Sequence, residues 1–127
     1  MIEPTDTDKL RRDPDGLLTY ECIANHIDSL DEAHLDELVD NMISVDMTGQ
    51  FTASAARYLH AIDAANYAAA INRLVAATID KDRERRYLPD VLNSIYGPDY
   101  HCRAAELSAT DNNFRRIYKR LYPNSVI

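Results

Sequence analysis

Glycine is scarce in this chain, with 3 residues among 127. A phosphate-cradling loop brings bare backbone against a nucleotide and needs several glycines close together, so the P-loop and dinucleotide fingerprints are excluded. Cysteine is equally sparse. Cys22 and Cys102 cannot build a disulfide framework, which points to a reducing cytoplasm. No apolar run approaches the roughly 18 residues that span a bilayer. The opening Met1-Ile2-Glu3-Pro4 also lacks the basic-then-apolar pattern of a secretory signal. A membrane is therefore not among the expected partners. Nucleophile motifs such as Gly-x-Ser-x-Gly and Ser-x-x-Lys are missing. There is no convincing strand alternation, and neither a repeat nor a low-complexity tract stands out.

What is present is a globular composition, 46% hydrophobic and 28% charged, in a length that suits one domain with its own core. The net charge of −7 is unevenly spread: residues 1–63 carry 14 acids against 4 bases, residues 64–127 carry 7 acids against 10 bases. Net acidity disfavours non-specific attachment to nucleic acid at long range, yet a local basic surface still acts within a Debye length. Acidic and basic halves can pack against each other, bind a second copy of the chain, or be read by a partner.

Residues 1–16 form a polar N-terminal arm with a turn at Asp13-Pro14-Asp15-Gly16 and room for one helical turn near residues 8–12. Residues 17–127 form the helical domain. Leu17, Tyr20, Ile23, Ala24 and Ile27 keep helical spacing over 17–28. Ser29 and Glu32 fit a capping box opening a helix with Leu35, Leu38, Val39, Met42 and Val45 on one face and acids on the other. Gly49 ends it as a left-handed residue, and Thr52 is the expected N-cap of the next helix. An alanine-rich helix over 64–80 is expected at the centre, with Ala68, Ile71, Leu74 and Val75 on its apolar arc and Asn66, Arg73 and Asp80 as a polar stripe. Further helices are expected over 89–96, 99–108 and 111–122. The fold class is all-α: a compact bundle of about six or seven short helices.

Cys22, His26, His101 and Cys102 have the right atoms for zinc but not the spacing of a knuckle or ribbon. Ser44, Asp46, Thr48 and Gly49 imitate a calcium loop, but Ala55 stands where the bidentate Glu must be. Glu32, Asp36 and Asp40 share one helical face without the Glu-x-x-His pairs of a metal-carboxylate bundle and read as a solvated face. No metal and no cofactor is expected. The candidate binding surface is the last helix, where Arg115, Arg116, Lys119 and Arg120 oppose an apolar side of Phe114, Ile117, Tyr118 and Leu121. Tyr87, Tyr96, Tyr100, Phe114, Tyr118 and Tyr122 concentrate aromatics nearby, and arginine with tyrosine is the composition of interface hot spots. Arg115, Arg116, Tyr118, Lys119, Arg120 and Tyr122 are thus the expected binding residues. The partner is another protein or a second copy of the chain. A nucleic-acid-binding domain presenting the same helix is the alternative, and an enzyme with dispersed catalytic residues is a second alternative.

Overall fold

The computed structural model describes residues 2–125. Those residues form an all-α bundle of eight helices, and no strand occurs among them. The helices are α1 (Thr7–Arg11), α2 (Leu17–His26), α3 (Glu32–Val45), α4 (Gln50–Asp63), α5 (Ala68–Lys81), α6 (Leu88–Val91), α7 (Ala104–Thr110) and α8 (Asn112–Leu121). A π-helical turn extends α6 through Leu92–Tyr96, and 3-10 turns occupy Ile27–Ser29 and Tyr100–Arg103. The helices pack in two layers. In one, α2 touches α4 and α4 touches α6; in the other, α1 touches α3, α3 touches α5 and α5 touches α8. Each helix covers an apolar face that its neighbours cannot bury alone. Phe114, Ile23, Met42, Leu59 and Leu74 are among the fully buried side chains.

The recurring element is the loop that returns the chain from the second layer to the first. Asp13, Asp46 and Asp82 are buried, and each carboxylate collects amides at the start of the helix that follows. Asp46 accepts from Thr48 and Gly49 N–H at 3.0 Å on one oxygen, and from Phe51 at 3.0 Å and Thr52 at 2.9 Å on the other. Asp13 accepts from Gly16 N–H at 3.0 Å and Thr19 N–H at 2.8 Å. Asp82 accepts from Arg86, Tyr87 and Leu88 N–H at 2.7–2.9 Å. The first four amides of a helix have no partner within it, so a carboxylate aimed at them removes an otherwise uncompensated desolvation. Three residues past the Asp the backbone turns left-handed, at Gly16 (φ 108°), Gly49 (φ 90°) and Arg85 (φ 59°). Glycine carries that conformation without steric cost. Arg85 is the sole non-glycine residue with positive φ among the described residues. A repeat that the sequence pattern conceals is therefore present as one structural device used three times.

The N-terminal segment, expected as a polar arm, carries α1, and Leu10 and Asp13 from it are buried. Asn41 of α3 ties the segment down, donating to the Leu10 carbonyl at 2.8 Å and to Thr19 Oγ1 at 3.0 Å. Three local expectations need correction. Asp31, not Ser29, caps α3, accepting from His34 N–H at 2.8 Å, while Ser29 lies in the preceding 3-10 turn. Thr52 is not an N-cap; Gly49 holds that position and Asp46 takes the amides. Thr52 is buried inside the first turn, with its hydroxyl 2.8 Å from that of Thr78. The alanine-rich helix starts at Ala68, because residues 64–67 turn the chain between α4 and α5. Helix α5 is central, touching α3, α4, α6 and α8. Ala68 itself is exposed, and the close approach is made by buried Ala70 and Ala77.

Candidate functional site: the basic C-terminal helix

Helix α8 begins at an N-cap built like that of α3, with Asp111 Oδ1 accepting from Phe114 N–H at 3.0 Å. Its apolar side is buried through Phe114, Ile117 and Tyr118, as the spacing requires. The six expected residues then divide into three groups. Arg116 and Arg120 are used by the fold: Arg116 pairs with Asp80 at 2.9 Å, and Arg120 donates to the Ile79 carbonyl, both on α5. Tyr118 and Tyr122 turn toward an aromatic cluster. Arg115 and Lys119 stand exposed on the outer side, where Arg115 reaches only as far as Asn112 one turn back. Lys119 makes no ion pair among the described residues.

The cluster gathers five of the six aromatics singled out in the sequence, together with His101. Phe114 stacks on Tyr118 at 5.3 Å between ring centres and meets Tyr96 edge-on at 5.1 Å. Tyr122 packs on Tyr118 at 4.9 Å and on His101 at 4.8 Å. The hydroxyls of Tyr100 and Tyr122 lie 2.7 Å apart, and Tyr118 Oη lies 3.1 Å from His101 Nδ1. Burial, then the hydrogen bond with Tyr122, pushes the Tyr100 hydroxyl up to about 12. Burial also raises Tyr96, reinforced by the Asp111 carboxylate to which it hydrogen-bonds. Tyrosines at these positions seat α8 and Tyr122 on the π turn through Tyr96 and on the 3-10 turn through Tyr100 and His101. Tyr87 is outside this group, on the loop between α5 and α6.

That loop adds cations the sequence reading did not include. Arg85 donates to the Arg120 carbonyl at 3.4 Å, so the loop abuts the end of α8. Arg83, Arg120 and Asp80 line a hollow of about 400 Å³. The signal available in the sequence was the spacing from each buried Asp: Gly16, Gly49 and Arg85 occupy equivalent positions, and the third is a cation. Two turns back along the same polar stripe of α5, Arg73 pairs with Asp40 and, at 3.7 Å, with Asp36 of α3. Two of the three acids of that face, Asp36 and Asp40, are thereby engaged within the fold.

Cys22 and His26 lie on α2, whereas His101 and Cys102 lie on the turn before α7. Burial, then the charges of Glu3 and Asp6, pushes the Cys22 thiol up to about 11. His26 Nε2 is 3.1 Å from the Ile2 carbonyl. Among the described residues no group of three or more His, Cys, Asp or Glu side chains comes together as a metal site. A cleft of about 600 Å³ runs between the N-terminal segment and α3 and is lined in part by Arg11, Glu37 and Asp40. No helix among the described residues is long and apolar enough to cross a membrane. Comparison with protein families, curated proteins and solved structures finds no match for the chain.

Proposed function

We propose that this chain acts by binding another protein, without catalysis of its own, in a reducing cytoplasm. The observation that carries the reading is the outer side of α8. Arg115 and Lys119 are exposed on a helix that Arg116 and Arg120 pin to α5 and that Tyr118 and Tyr122 seat on its neighbours. A helix already held in place has no backbone to order on binding, so a charged face fixed in this way favours complementary association. The buried acids support the same reading. Both oxygens of Asp13, Asp46 and Asp82 are taken up by backbone amides, which commits these groups to holding helix starts. Stacked helix pairs also serve widely as rigid recognition scaffolds.

The experiment is affinity capture from the native host, comparing the wild-type chain with Arg115→Glu/Lys119→Glu, followed by mass spectrometry. A reproducible partner held by the wild type and lost by the variant is expected, with the loss growing at higher salt. Capture that is identical for both chains would remove α8 from the account. Recovery of nucleic acid alone, surviving physiological salt, would favour the nucleic-acid alternative.

A further inference from the structure

We infer that the groove between the α3–α4 loop and the α5–α6 loop is a docking site for an acidic peptide segment carrying one bulky apolar residue. This rests on the reading that the chain binds a partner protein. The groove measures about 330 Å³, and Met47, Thr48, Lys81, Arg83, Arg86 and Tyr87 line it together with Asp82 and Glu84. Met47 is 76% exposed, the most exposed of the large apolar side chains among the described residues. Half-buried Tyr87 lines the same groove. Lys81, Arg83 and Arg86 are its cationic lining residues. Of the two acids, Glu84 is paired with Arg86 at 2.8 Å, and the Asp82 carboxylate is turned into the loop amides. Lys81 and Arg83 make no ion pair among the described residues. Arg83 also lines the neighbouring hollow with Arg120, so the cationic surface continues toward α8. The two preceding loops carry Gly at the left-handed position where this loop carries Arg85, whose guanidinium leaves the groove and donates to the Arg120 carbonyl of α8. An extended peptide offers carboxylates to the cations and one side chain to Met47 and Tyr87. A longer polyanion such as nucleic acid would meet the net negative charge of the molecule beyond the groove.

The probe is a fluorescein-labelled peptide of Glu and Asp around one central Leu, titrated with the full chain and followed by anisotropy. The same peptide with Ser in place of Leu and a short single-stranded oligonucleotide are titrated beside it. Saturable binding of the Leu peptide is expected, roughly fivefold or more tighter than the Ser peptide and tighter than the oligonucleotide. Arg83→Glu/Arg86→Glu should weaken it by about tenfold or more, and Met47→Ser should abolish the preference for Leu. Circular dichroism checks that each variant keeps the wild-type helical spectrum, and Arg83→Ser/Arg86→Ser replaces the reversal if it does not. Arg115→Glu/Lys119→Glu should leave peptide affinity within about twofold, which separates the groove from the outer side of α8. Absent or non-saturable peptide binding, equal affinity for the Leu and Ser peptides, or tighter binding of the oligonucleotide would overturn the assignment. Such a failure with α8-dependent partner capture intact would leave the proposed function standing and remove only the groove.

Discussion

Asp46 concentrates the physics of this fold in one side chain. It is fully buried, yet its two oxygens hold the amides of Thr48, Gly49, Phe51 and Thr52. Asp46→Ala strands these donors around a small void, so unfolding free energy should fall by about 2–4 kcal/mol, read as a lower urea midpoint at unchanged slope. At the equivalent of Gly49, Arg85 has the opposite sign of effect. Arg85→Gly relieves a left-handed backbone and gives up one long, exposed hydrogen bond, so a gain of about 0.5–1 kcal/mol is expected in the same measurement. Asp13 adds a pH dependence. Burial alone would raise its carboxyl, but the bonds from Thr19, Gly16 and Asp15 prevail and hold it below the ordinary 3.8. Its contribution is complete above that value and is lost as the pH falls through the lower folded one. Asp13→Asn should therefore be less stable near neutrality, and its stability should decline less than that of the wild type on acidification below about pH 4.

Among the elements, α5 bears the packing. Ala68→Leu at its exposed start should leave the melting temperature nearly unchanged, whereas Ala70→Leu should lower stability by about 1–3 kcal/mol because the helix approaches its neighbours there. Equal shifts for the two variants would mean that α5 is not the central helix. The contrast marks what the amino-acid pattern could convey. Apolar spacing in α2, α3, α5 and α8 was legible because a core-facing stripe repeats within a few residues. The caps differ from the sequence reading where a hydroxyl competes with an aspartate: Ser29 with Asp31 at the cap position itself, Thr52 with Asp46 three residues before the capping Gly49. Asp46 reaches six residues forward to Thr52, and no adjacent-residue rule captures that reach. In α8 the basic arc was legible. Its division was not, because Arg116 meets Asp80 and Arg120 meets Ile79 across 36 and 41 positions, pairings that only the assembled fold creates.

At the scale of the whole molecule, the loops after α1, α3 and α5 share one device, and the third of them abuts the end of α8. The acids of α3 are partly neutralised by Arg73, while the cations of the α5–α6 loop adjoin those of α8. Partner binding by these two adjoining segments is the central claim. Hydrogen–deuterium exchange of the chain with and without its captured partner tests it most directly, since binding slows amide opening where contacts form. The account predicts slowed exchange concentrated in residues 83–88 and 112–121. Unchanged exchange across both segments, with protection confined to α1, α2 or α3, would contradict it.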